Sequence, residues 1–232
     1  MGSMLTDLRG IAQQGAVELG SDASAEEVLQ WGAATFGHHM IVASNMQDAV
    51  LVDLAATALP GVDVLFLETG YHFPETIGTR DAVAATYAVT IVNAEPEHTV
   101  AEQDSLLGRD LFARDPDRCC NLRKVVPLRQ TLARYDAWVT GVRRVEAPTR
   151  ANTPLVTFDE NHGLVKLNPL AAWTDEQMQA YIDEHHVLVN PLVDEGYPSI
   201  GCRTCTIKPL PGADPRSGRW AGRAKTECGL HG

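Results

Sequence analysis

Several things are missing from this chain. No apolar run approaches the ~20 residues that a spanning helix requires, so a helical membrane protein is excluded. The N-terminus lacks a basic segment followed by an apolar one, so nothing in it directs export, and a cytoplasmic location is expected. There are no internal repeats and no sign of a second domain. Positive charge is in deficit: a net charge of −11 argues against general nucleic-acid binding. Cysteine is scarce. In a reducing cytosol, five cysteines point to metal and catalysis rather than to disulfides. What remains is ordinary for a soluble globular protein, with 44% hydrophobic and 21% charged residues and enough chain for a sizeable core. The expected domain is 4–232, because Met1-Gly2-Ser3 before Met4 resembles an expression scar.

Four of the five cysteines fall into two close pairs, Cys119-Cys120 and Cys202-Arg203-Thr204-Cys205, separated by 81 residues. Such pairs can converge on one metal centre after folding, and soft thiolates suit zinc or an iron–sulfur cluster. Four buried thiols are the plainer alternative. Zinc ribbons usually place two or more residues between the members of each pair, and Cys119-Cys120 departs from that. Adjacent side chains diverge, so they reach two corners of a larger body more easily than two vertices around one ion. That favours a [4Fe–4S] cluster.

Basic residues gather near these motifs. Residues 116–150 carry eight (Arg118, Arg123, Lys124, Arg129, Arg134, Arg143, Arg144, Arg150) and residues 201–232 carry six, so 14 of the 19 lie there. Individually each reads as a solvated surface charge. Together they can offset a four-thiolate centre and receive a phosphorylated or sulfated ligand.

The pattern of elements is that of a doubly wound, mostly parallel α/β sheet. Residues 4–35 read as helical, with a capping box at Ser24 and Glu27. A strand over His38–Ala43 runs into the polar loop Ser44-Asn45-Met46-Gln47-Asp48 and then a helix over Ala49–Leu59, an order that aims helix amides at a phosphate. Asp48 reads equally well as a helix cap. A second strand, Val62–Leu67, ends in Glu68-Thr69-Gly70, where ligands bind in open α/β sheets. Pro74 opens the next helix, towards Tyr87, and Ala88–Val92 is a third strand. Glu95 to Asp104 reads as polar surface. Cys119-Cys120 opens a helix that Pro127 interrupts. Trp138–Val142 is a further strand, with Arg143-Arg144 at its end. A hairpin joins 154–158 to 164–167. Thr174 and Gln177 cap a last helix that ends at His185-His186, where a metal role is outweighed by a dipole role. Residues 214–232 read as a mobile tail.

That tail holds Cys228, in Glu227-Cys228-Gly229-Leu230-His231. Basic neighbours at Arg223 and Lys225 favour its thiolate; on spacing alone it could equally be a stray surface thiol. This signature, the Cys-Cys…Cys-x-x-Cys set, the run Leu67–Thr76 and Gly141-Val142-Arg143-Arg144 together resemble the thioredoxin-dependent sulfonucleotide reductases, in the iron–sulfur branch that reduces adenylyl sulfate (APS). The likeness covers roughly residues 36–232. Two departures are Glu68, where Asp is common, and a loop at 44–48 without the glycines of the related PP-loop pattern.

The resemblance implies an adenine-nucleotide alpha-hydrolase-like (PP-loop-like) fold and a [4Fe–4S] cluster on Cys119, Cys120, Cys202 and Cys205. It implies APS bound against Ser44, Asn45, Gln47, Asp48, Glu68, Thr69 and Gly70, with its phosphosulfate towards Lys124, Arg143, Arg219, Arg223 and His231. Cys228 is then the nucleophile and thioredoxin the electron donor, in assimilatory sulfate reduction and cysteine biosynthesis. Three alternatives stand beside it: a reductase of the 3′-phosphorylated substrate, a PP-loop-type RNA thiolation enzyme and a non-enzymatic iron–sulfur redox sensor. Oligomeric state is left open by the sequence.

Overall fold

Strand β2 (Val62–Leu67), with the sequence Val-Asp-Val-Leu-Phe-Leu, is apolar on both faces save Asp63, which accepts from the Tyr135 hydroxyl, as suits a strand covered from both sides. It lies within a six-stranded sheet of order β3-β2-β1-β4-β6-β5. The other strands are β1 (Met40–Ala43), β3 (Val89–Ala94), β4 (Ala137–Thr140), β5 (Val156–Asp159) and β6 (Leu164–Leu167). All neighbours pair in parallel except β5, which forms an antiparallel hairpin with β6. The computed structural model describes residues 7–223 together with 225 and 229.

Side chains alternate between the two faces of the sheet. Ile41, Leu65, Trp138 and Leu164 pack on one side against Leu128 and Leu132 of α8 (Val126–Leu132). Met40, Val42, Val64, Phe66, Val139, Val165 and Leu167 pack on the other, against α2 (Ala25–Phe36) and α3 (Val50–Ala58). Helices on both faces make the sheet doubly wound, as expected.

The helix starts follow side-chain capping. Ser24 and Glu27 form the capping box of α2, and Thr174 with Gln177 forms that of α9 (Asp175–His185). α1 (Leu8–Leu19) is capped by Asp7 and stops at Gly20, so the N-terminal region is two helices with a break. Pro74 is the first residue of α4 (Pro74–Thr86).

Several boundaries differ from expectation. β1 begins at Met40, because Gly37–His39 forms a 3₁₀ turn. β4 ends at Thr140, so Arg143 and Arg144 lie in the turn that follows rather than at the strand's end. Residues 95–104 are not simply polar surface. Thr99 and Glu102 form a third capping box, which starts α5 (Val100–Leu107), and Gln103 is buried.

The cysteine helix also starts earlier. After the short α6 (Leu111–Arg114), Asp115 caps α7 (Pro116–Cys120), placing Cys119 and Cys120 at its end. Residues Asn121–Val125 continue as a wider, π-type turn, with Val126 N–H donating to Asn121 O, and lead directly into α8. Pro127 explains the widening. It has no N–H, and its ring would strike the Arg123 carbonyl in regular α geometry. Among the described residues no helix is long and apolar enough to cross a membrane.

Candidate active site

The carboxyl ends of β1, β2 and β4 meet at one edge of the sheet, at the point where chain connections diverge to either side. The 44–48 loop leaves β1 there. Ser44 Oγ accepts from Met46 N at 3.2 Å, and Asn45 Oδ1 accepts from Gln47 N at 3.1 Å, leaving Met46 buried at φ +59°. Asp48 Oδ1 accepts from Val50 N at 3.2 Å, the capping role open to it from sequence. Burial pushes the Asp48 carboxyl above its usual range, opposed by the Val50 amide and by Arg143.

After β2, Glu68 Oε1 accepts from Gly70 N at 2.9 Å and Oε2 lies 3.4 Å from Arg80. Gly70 holds φ +72°, and a Cβ there would come within 2.9 Å of Val100 and 3.0 Å of Arg123. Thr69 is fully buried. Its hydroxyl lies 3.3 Å from Cys202 Sγ, and its carbonyl accepts from Arg123 Nε. His72 packs next to this turn: its Nε2 is 2.8 Å from Leu67 O, its ring rests 4.7 Å from Phe66, and its buried Nδ1 has no partner among the described residues.

Cys119, Cys120, Cys202 and Cys205 line one narrow cavity with Thr69, Tyr71, Phe112, Arg123, Lys124 and Trp220. No disulfide joins the four cysteines; Cys119, Cys120 and Cys202 are buried and Cys205 is half-buried. Arg123 and Lys124 follow the cysteine pair by one helical turn, and both are buried. The Cys119 thiol is pushed up to about 11, first by burial and then by Cys202 and Cys205, against the pull of Arg123 and Lys124. Cys205 is raised by burial, while Lys124 and Arg219 draw it down. Thiols held this close together deprotonate readily only when something positive takes the protons' place. Among the described residues no group of three or more His, Cys, Asp or Glu side chains is arranged to hold a metal ion. The thiols line the walls of a cavity.

The expected basic residues separate. Lys124 lies among the cysteines. Arg143 lies in the turn after β4, with Nη2 2.8 Å from Asp175 and a buried Nη1 that has no partner among the described residues. Arg219 donates to Ser199 Oγ at 3.3 Å and to Ile200 O at 3.2 Å. Arg223 is exposed and donates to Phe112 O at 3.3 Å. Cys228 and His231 lie outside the described residues. Residues 214–223, read as the start of a tail, fold back: Thr206 pairs with Arg219, Trp220 N donates to Cys205 O at 2.9 Å, and Trp220 is buried.

Sequence reasoning missed Arg123, which counted only as one basic residue among several. It is 3% exposed and also donates to His98 O at 3.2 Å and Gln103 Oε1 at 3.0 Å, tying the turn after β2 to the cysteine helix. Its position four residues after Cys119 was the available signal. Gln47 was expected to face a nucleotide, and its amide is instead bonded to the segment before Cys202.

A mostly parallel sheet with such an edge, and four thiols set beside it, defines an α/β protein with a PP-loop-type fold. Residues 38–208 match the phosphoadenosine phosphosulfate reductase domain. The chain is 70% identical over 227 residues to the adenosine 5′-phosphosulfate reductase of Mycobacteroides abscessus, which spans 98% of this chain and 95% of that one. It superposes on the phosphoadenylyl-sulfate reductase of Candida auris, a phosphate complex, with TM-score 0.70 and 29% identity over 89% of this chain and 99% of that one. The Candida glabrata FMN adenylyltransferase with FMN and an ATP analogue shares the fold alone, at TM-score 0.57 and 12% identity over 90% and 68%. The chain belongs to the phosphoadenosine phosphosulfate reductase domain family, the sulfonucleotide reductases.

Proposed function

We propose that this chain is an oxidoreductase that reduces APS to sulfite and AMP in sulfate assimilation, with thioredoxin as the electron donor and Cys228 as the nucleophile. One observation supports the site reading: Thr69 stands on the turn after β2, at the sheet edge where open α/β folds bind ligands, and also reaches Cys202 at 3.3 Å. A single buried residue therefore joins the nucleotide edge to the cysteine cavity.

On this reading adenine and ribose lie against Ser44, Asn45, Glu68 and Gly70, with Asp48 holding the start of α3. The phosphosulfate faces Lys124, Arg143, Arg219, Arg223 and His231. Arg143 has a buried N–H with no partner among the described residues, and Lys124 lines the cysteine cavity. The Cys228 thiolate attacks the sulfate sulfur, an S–S bond forms, and the bond from sulfur to the bridging oxygen breaks. AMP leaves with that electron pair, and the enzyme carries an S-sulfocysteine. One thioredoxin thiolate then attacks Cys228 Sγ and expels sulfite with the S–S electron pair. The second thioredoxin thiol resolves the mixed disulfide and restores Cys228. The dithiol supplies both electrons.

The donor set fits a [4Fe–4S] cluster on Cys119, Cys120, Cys202 and Cys205. Four thiols surround one cavity, and Arg123, Lys124 and Arg219 oppose the charge they would carry as thiolates. When bound, the cluster would supply a charged body that orients and polarises those cations. A cytoplasmic location fits the same reading. The test is AMP release from APS on addition of reduced thioredoxin, with APS expected to be turned over at much higher kcat/KM than its 3′-phosphorylated form. No AMP release would contradict the proposal.

A further inference from the structure

The 44–48 loop is fastened along its length to the segment that leads into Cys202. Ala49 N donates to Leu188 O and Asn190 N to Gln47 O, both at 2.9 Å, and Asp48 bridges to Val189. The buried Asn190 side chain donates to Met46 O at 3.0 Å and to Thr76 at 3.2 Å, and accepts from Leu192 N at 3.1 Å. These bonds anchor the near end of the segment.

At the far end, one side chain of the 44–48 loop makes the tie. Gln47 Nε2 donates to Pro198 O at 3.2 Å, and Gln47 Oε1 accepts from Ile200 N at 3.0 Å. A carbonyl can only accept and a backbone N–H can only donate, so the orientation of this amide is fixed by its partners. The pattern is that of a strand neighbour, with the side-chain amide pairing with the carbonyl before Ser199 and the N–H after it. On the opposite side of the same three residues, Arg219 donates to Ser199 Oγ and Ile200 O. Arg219 leads on to Trp220, whose N–H is bonded to Cys205 O. Residues 198–200 are thus clamped between the loop after β1 and the strand partner of the cysteine loop.

We propose that Gln47 is a positioning residue that couples occupancy of the nucleotide edge to the order of the cysteine loop. Its amide is committed to Pro198 and Ile200, so it acts through that loop rather than by touching the nucleotide. The inference rests on the reading of 44–48 as a nucleotide-binding loop. A ligand that orders the loop fixes the Gln47 backbone, and the amide carries that restraint to a segment that ends two residues before Cys202. Ordering shared between two sites appears as a coupling between them, with no new contact to the ligand.

A second tie reaches this loop from the β2 side, through Arg203 N to Tyr71 O at 2.7 Å and Thr69 to Cys202. The measurement is therefore made upstream of that tie. Hydrogen–deuterium exchange of the 44–48 and 199–201 regions is followed in the anaerobically purified full chain, with and without AMP. In the wild type AMP slows exchange in both regions. In Gln47→Met, which keeps the length but loses the donor and acceptor, AMP still slows exchange at 44–48. The AMP-induced slowing at 199–201 shrinks about fivefold or more. Gln47→Glu keeps the acceptor but sets an oxygen against Pro198 O, and loses the response in the same way. The readout is the response to AMP, which a merely structural loosening would not remove selectively. An undiminished response at 199–201 in either variant, or none there in the wild type while 44–48 is protected, overturns the coupling. Failure of AMP to protect 44–48 in the wild type overturns the nucleotide reading and the coupling with it, so the two failures are distinguished.

Discussion

The Arg219 guanidinium lies against Gly201 so closely that a methyl group has no room between them. A Cβ at Gly201 would sit 2.3 Å from Arg219 Nη2 and 2.5 Å from its Cζ. Gly201 does not hold a positive φ, so alanine changes the space and leaves the backbone at ease. Gly201→Ala should therefore drive the guanidinium off Ser199 and Ile200. The expected result is a roughly tenfold or larger fall in kcat/KM for APS with stability held within about 1 kcal/mol, because the displaced group is the end of a flexible side chain rather than packed core. Steady-state turnover and urea unfolding check both. Unchanged turnover would remove Arg219 from the site.

Gly32 gives the contrasting case. A Cβ there would meet Leu167 Cδ1 at 2.6 Å and Met40 Sδ at 2.9 Å, between α2 and the sheet. Gly32→Ala should lose about 1–3 kcal/mol of stability to overpacking and leave the kcat of the folded fraction near wild type, because nothing at the ligand edge is touched. Denaturant midpoints paired with turnover at low temperature separate the two effects.

His72 makes stability depend on pH. Burial lowers its pKa, opposed by the Leu67 carbonyl and Glu68 and assisted by Lys124 and Arg80. The folded protein therefore holds His72 neutral where the unfolded chain is already protonating. Below the unfolded value of 6.5 the unfolded state binds more protons, so stability falls as pH falls, until the depressed folded pKa is reached; above that window the contribution is constant. His72→Gln should flatten the part of the pH 5.5–7.5 stability profile that His72 contributes. Parallel profiles for the two proteins would show that His72 is not the group responsible.

The centre itself is tested by Cys120→Ser. Anaerobically purified wild type should be brown, with about four irons and four sulfides per chain. The variant should lose colour and activity together. Stoichiometric zinc without sulfide in the wild type would replace the cluster with a single ion.

Much of this architecture was readable because its causes are local. Val62–Leu67 is a strand at the expected residues, and Ser24-Glu27 and Thr174-Gln177 cap helices through side chains three residues apart. Thr99-Glu102 carries the same signature, masked in the sequence by acidic and polar surroundings. The π-type turn after Cys120 was hidden, since Pro127 signals an interruption and not the form it takes. The cysteine cavity was legible in outline from scarcity: with five cysteines in the chain, two tight pairs have few other reasons to exist. The roles of Arg123 and Gln47 were not legible, because each depends on partners far away in the chain. Arg123 reaches back 54 residues to Thr69, and Gln47 reaches forward 151 to Pro198.

The most direct test of the account is the intact mass of the protein after mixing with APS in the absence of reductant. The account predicts a gain of one SO₃ unit, mapping to the peptide that contains Cys228 and removed by reduced thioredoxin with release of sulfite. Cys228→Ser should bind nucleotide and keep the cluster yet gain no mass, because a serine hydroxyl is a far weaker nucleophile near neutral pH. An adduct on Cys119 or Cys202, or sulfite formation by Cys228→Ser at a near wild-type rate, would contradict it.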